Sequence, residues 1–157
     1  MDDLYVKYIC DSALYCQHLF SAAEKFFKAN VLVEEVISES RTLDNPRIEE
    51  ISSTFREASA WAGKARKSLR DFEISHNSFP DQEVIIDSTE QMSRIDRVSA
   101  LGASLATLTS TLIPGEDLQE QIWDNPEYTR QFTEMAELIC KAVLWQQSLA
   151  VETHNEI

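Results

Sequence analysis

The sequence predicts an all-α protein, an antiparallel (up-down-up-down) four-helix bundle with a long N-terminal helix. Three observations carry this. Apolar residues recur at steps of three and four over four long stretches, the signature of helices with one buried side. Only three glycines and four prolines occur in 157 residues, too few for a fold rich in tight turns. The tripeptide Asp-Asn-Pro, a helix-start signal, stands at 44–46 and again at 124–126.

The first helix is read over Leu4 to Ile37. Steps of seven from Tyr5 give Ser12, Leu19, Phe26 and Val33. A companion line holds Tyr8, Tyr15, Ala22, Ala29 and Val36, and beside it run Ile9, Cys16, Ala23 and Ile37. With Val6, Ala13, Phe20 and Phe27 these lines span roughly 160° of the helix, so it should touch two neighbours at once. It runs out near Ser38–Arg41. Asn45 is expected to cap the second helix, with Pro46 at its first position, where a missing N–H costs nothing. That helix shows Ile48, Ile51, Phe55, Ala58, Ala62, Ala65, Leu69 and Phe72, an unbroken packing seam. Its alanines permit close approach to the first helix. Pro80 and its neighbours form a turn, and Val84-Ile85-Ile86 reads as a short extended segment. Ser88 with Gln91 reads as a capping box for the third helix, which continues through Met92, Ile95, Val98, Leu101, Leu105, Leu108 and Leu112. Gly102 should cost about 1 kcal/mol against alanine unless packing uses it. Pro114-Gly115 stops this helix, and a short helical turn is expected within 116–123. The last long helix carries Tyr128, Phe132, Met135, Ile139, Ala142 and Leu149, flanked by Leu138, Val143 and Trp145, and should fray after Val151.

Residues 1–157 fit one domain, large enough to bury a core without staples. Apolar residues make up 43% and charged residues 26%, ordinary for a globular chain. No stretch approaches the 18 or so apolar residues of a membrane span, and Met1-Asp2-Asp3 is unlike a secretory leader, so a cytoplasmic protein without a membrane partner is expected. Cys10, Cys16 and Cys140 fit reduced, packed thiols. The net charge of −13 argues against a general nucleic-acid-coating role, which normally requires a basic domain. The one basic stretch is 46–70, where Arg47, Arg56, Lys64, Arg66, Lys67 and Arg70 outnumber Glu49, Glu50 and Glu57.

No cofactor fingerprint is present, and Glu73-x-x-His76 is a lone copy where a di-iron bundle needs two. Cys16 and His18 point about 200° apart on a helix and cannot form a dyad. His18 itself reads as solvated, on a polar strip with Asp11 and Lys25. Arg70-Asp71-Phe72-Glu73-Ile74-Ser75-His76 resembles the R-x(4–6)-H signature of HEPN-family domains, and Ser21-Ala22-Ala23-Glu24-Lys25-Phe26-Phe27-Lys28-Ala29 resembles a first-helix segment common there. Those domains are helical bundles of similar size, often metal-independent ribonucleases that pair as dimers. The resemblance implies an RNA substrate, with Arg70 gripping the scissile phosphate and His76 moving the 2′-hydroxyl proton. Lys64, Arg66 and Lys67 would add phosphate contacts. The same residues also suit a plain helix C-terminus, where cations offset the helix dipole.

The leading expectation is a non-enzymatic module that binds a partner protein, a basic one suiting its acidic surface, and occludes or scaffolds it. Two surfaces qualify. One is the acidic connection with Glu116, Asp117 and Glu120. It belongs to a set of thirteen carboxylates over 71–93 and 116–137 that could also mimic a nucleic acid. The other is a patch of Phe20, Phe27 and Trp61, which, if left exposed, would receive a partner or a second copy as a homodimer.

Overall fold

In a computed structural model the chain is described over residues 3–39, 43–79 and 85–156, with side chains described to Ser148. Arg41, Pro80, Asp81, Val84 and the side chains of Leu149 and Val151 lie outside the described residues. The protein is all-α. Five helices and no strand occur among the described residues: α1 Asp3–Glu39, α2 Asn45–Asn77, α3 Thr89–Ser110, α4 Leu118–Ile122 and α5 Pro126–Glu156. The segment 85–88 has no regular structure. Ile86 is buried there while Ile85 faces out, and the Asn77 amide brackets the Ile86 N–H and carbonyl at 2.9 Å each.

The seam of α2 is buried from Ile48 to Phe72, as its spacing requires. Contacts between α1 and α2 run in opposite order along the two helices: Asp11 with Ser75, His18 with Ser68, Lys25 with Glu57. Ser52 with Ala106 and Ser59 with Ser99 do the same for α2 and α3. For α3 and α5 the pairs are Gln91 with Ala142 and Arg97 with Glu134. α5 lies mainly along α3 and meets α1 at few points. The short α4 fills the end of the core with Leu118 and Ile122, both fully buried. Gly115, at φ +83, makes the turn before it and donates its N–H to the Leu43 carbonyl at 2.9 Å.

Three local expectations are corrected. Asp44, not Asn45, caps α2, its carboxylate accepting the Arg47 N–H at 2.9 Å. Ser88 precedes α3 without a side-chain cap, its backbone at φ −99 and ψ 13 lying outside the extended region a cap needs, and the Gln91 side chain is drawn into the core to meet Tyr15 and Ala142 instead of reaching back. α5 remains helical to Glu156, past Val151. The second Asp-Asn-Pro behaves as expected for Asn125, whose side chain accepts the Glu127 N–H at 3.0 Å.

Packing does use Gly102. A Cβ there would lie 3.1 Å from Ser59 Cβ and 3.2 Å from the Phe55 carbonyl oxygen, backbone against backbone. Around it Ser59 Oγ donates to the Ser99 carbonyl at 2.7 Å and Ser99 Oγ to the Ser59 carbonyl at 3.1 Å. Gly102→Ala is therefore expected to lower unfolding free energy by about 1 kcal/mol, overpacking exceeding the gain in helix propensity. Gly63→Ala, which meets open space, should raise it by up to about 1 kcal/mol. Urea titrations of the two variants check the contrast in sign.

Candidate docking face on α1

α1 carries two seams. Tyr8, Ser12, Tyr15, Leu19, Ala22, Phe26, Ala29, Val33 and Val36 succeed one another at alternating steps of four and three, and from Tyr15 to Val36 every member of this row is buried. Val6, Ile9, Ala13, Cys16, Phe20, Ala23 and Phe27 follow the same rule, with Val31 one turn further on. At 100° per residue the second row lies about 125° round the helix from the first. Its inner members are covered, Cys16 by α5. Ala23 is buried, and the half-buried Cys16 thiol accepts a bond from the Gln146 amide at 2.8 Å. Its outer members are not. Phe20 is 49% exposed and Phe27 54%, and Val6, Ile9 and Val31 are similarly open. The arc does meet more than one neighbour, α2 along its length and α5 at fewer points, and the described helices cover its core side while leaving one edge bare.

Trp61 does not join this patch. It packs on His18, ring centroids 5.6 Å apart, with the Lys64 ammonium 4.2 Å above its own ring. His18 and Phe27 are nine residues apart, so they leave α1 on opposite sides. His18 is not simply solvated: its Nδ1 lies 2.6 Å from Ser68 Oγ. Since that hydroxyl donates to the Lys64 carbonyl, His18 supplies the hydrogen between them.

The residues of the HEPN-like motif separate. Arg70 is exposed, whereas His76 is 3% exposed and lies among the rings of Tyr8 and Phe72 at 5.7 and 6.2 Å. Six residues apart, the two point about 120° from one another, and the structure does not bring them to one open face. Glu73 accepts the Ser88 N–H at 3.0 Å, and no group of three or more potential metal ligands occurs among the described residues.

Next to His76, Ser75 Oγ donates to the Asp11 carboxylate, and Lys7 Nζ reaches Asp11 at 2.6 Å and Ser75 at 3.2 Å. Desolvation pushes the Asp11 carboxyl upward, but the hydrogen bonds from Lys7 and Ser75 together with the Lys7 charge outweigh it, and the net shift is downward. A depressed folded value stabilises the protein above the unfolded value, near 3.9, and this is lost as pH falls through the folded value. Asp11→Asn should cost roughly 1–2 kcal/mol at neutral pH. The gap between variant and wild-type urea midpoints should close below about pH 4. A gap unchanged in acid would refute the assignment.

In the acidic connection, Asp117 is occupied as the cap of α4, accepting the N–H groups of Gln119 and Glu120 at 2.9 and 3.4 Å, while Glu116 and Glu120 are exposed. A shallow depression of about 720 Å³ between α3 and α5 is lined by Glu90, Arg94, Arg97, Glu134 and Lys141, among others. Its arginines are matched by acids: Arg97 grips Glu134 with two bonds of 2.8 and 2.9 Å, and Arg94 reaches Glu90 at 3.2 Å. No helix among the described residues is long and apolar enough to cross a membrane. No protein-family model, curated protein or solved structure matches the chain.

Proposed function

We propose that this protein is a helical module, a four-helix up-down-up-down bundle, that binds another protein chain through the bare seam of α1. The observation that carries this reading is the unbroken three-four spacing from Val6 to Phe27 with its phenylalanines half exposed. A chance scatter of surface apolar residues needs no explanation, but a second coiled-coil row on the longest helix does. Covering the open half of each ring contributes about 1 kcal/mol, and a helix laid along the row meets both together. Such binding works by scaffolding or occlusion, with no chemistry on the partner. The reducing, cytoplasmic setting rests on the odd number of cysteines and their lack of metal-binding spacing, and of the three only Cys16 is packed as expected, Cys10 and Cys140 being exposed.

A photoreactive phenylalanine analogue at position 27 tests this in extract of the host cell. Discrete protein adducts are expected, absent when the probe sits at Glu49, an exposed polar position of α2. Equal labelling from both positions would overturn the reading.

A further inference from the structure

We infer that the solvent side of α2, from Ala60 to Arg70, is a docking strip for a short carboxylate-rich segment of another protein. It lies on a different helix from the seam of α1 and stands independently of it. Of the four long helices α2 alone has a positive balance, six cations against five carboxylates, within a chain of −13. Its carboxylates stand toward the two ends, and from Ala58 to Arg70 the sequence holds four cations and no acid. Arg66 turns toward α3 and pairs with Asp96 at 2.7 Å. Lys64, Lys67 and Arg70 are exposed, and no ion pair engages them among the described residues. Elsewhere Arg47, Arg56, Arg94, Arg97 and Arg130 each hold a carboxylate. Lys28 and Lys141 also stand unpaired, but singly and on other helices. A chain with this excess of acid thus leaves three clustered cations to an outside anion.

The floor of the strip is flat. At 100° per residue Ala60, Gly63 and Lys67 fall within about 60° of one another, opposite the buried seam. Ala60 and Gly63 are exposed, so a partner backbone can come close to the helix there. In mid-helix Gly63 costs about 1 kcal/mol against alanine, yet a Cβ at this position meets nothing within 4 Å. Gly102 lets two helices touch and Gly115 takes a positive φ, whereas Gly63 serves no contact among the described residues. The three cations rise only about 9 Å along the helix, and acids resume beyond them at Asp71 and Glu57. A long nucleic-acid strand would run from the cations onto those carboxylates. A peptide segment with two or three acids ends before them. Trp61, one turn ahead of Lys64, offers no open stacking platform for a base: its ring lies under the Lys64 ammonium at 4.2 Å and packs on His18.

Fluorescence anisotropy of a labelled peptide of repeated Glu-Glu-Ala-Ala, titrated with the full chain, tests the inference. The expected result is saturable binding at low salt that weakens as salt rises to physiological levels. The same peptide with glutamine for glutamate should stay free. Lys67→Glu and Arg70→Glu should each weaken binding by roughly 10-fold, attraction becoming repulsion. Lys141→Glu on α5 changes the net charge equally but should leave binding within about twofold of wild type. Gly63→Leu should weaken binding by holding the partner off the helix, while its melting temperature does not fall, leucine being the better helix former. No saturable binding at low salt, an equal loss from Lys141→Glu, or capture of the glutamine peptide overturns the inference. So does an oligouridine that binds more tightly than the glutamate peptide and is released by the same two reversals, which would assign the strip to nucleic acid.

Discussion

Gln91→Ala is expected to lower unfolding free energy by about 3 kcal/mol. The Gln91 side chain is fully buried and ties three helices together. Its Nε2 donates to the Tyr15 hydroxyl of α1 at 2.8 Å and to the Ala142 carbonyl of α5 at 2.9 Å, while Oε1 accepts from Arg94 on its own helix. Removing it strands the Tyr15 hydroxyl in an environment whose desolvation already holds that phenol well above its ordinary range. An unpaired buried hydroxyl costs about 1–3 kcal/mol, and the vacated volume adds to it. Combining Gln91→Leu with Tyr15→Phe, which deletes both partners, should recover part of the loss. Urea unfolding of the single and double variants measures this. A loss under about 1 kcal/mol for Gln91→Ala would sink the account.

The second large effect separates two adjacent phenylalanines. Phe26 is 1% exposed and its ring stands 4.8 Å from that of Phe132, joining α1 to α5. Phe26→Ala should cost about 3–5 kcal/mol, the range for deleting a buried ring. Phe27→Ala, one step round the helix, should cost less than about 1 kcal/mol at concentrations where the chain is single. Thermal melts of the two variants at low micromolar concentration check the contrast. Equal losses would mean that Phe27 is packed within the chain and that the docking face does not exist.

The long helices were legible because burying one side of a helix forces a period near 3.6, and Ile48 to Phe72 keep it without interruption. Caps were less legible. Asp44 and Asn45 can each accept a backbone N–H, and only the backbone angle at the helix entrance chooses between them. Ser88 and Gln91 match a local capping rule, yet the glutamine's tertiary partners lie 51 and 76 residues away, and no nearby residue announces them. The candidate site was legible in breadth alone. The arc on α1 is too wide for one neighbour, but which edge stays bare depends on where α5 lands, and that is set by its packing on α3. Phe20 and Phe27 were distinguishable as arc-edge residues. Trp61 was not separable from them, because its side depends on how α2 is rotated against α1.

The uneven grip on α5 has a kinetic consequence. α1 through α3 interlock along long stretches, whereas α5 leans chiefly on α3. A partial opening that peels α5 away leaves a three-helix remnant, so backbone amides of α5 should exchange with solvent sooner than those in mid-α2. Such an excursion unroofs Cys16 and Phe26, which Gln146 and Phe132 of α5 cover, and widens the oily surface on the N-terminal helix. The same looseness that permits it would make the chain prone to trading its last helix with a neighbour.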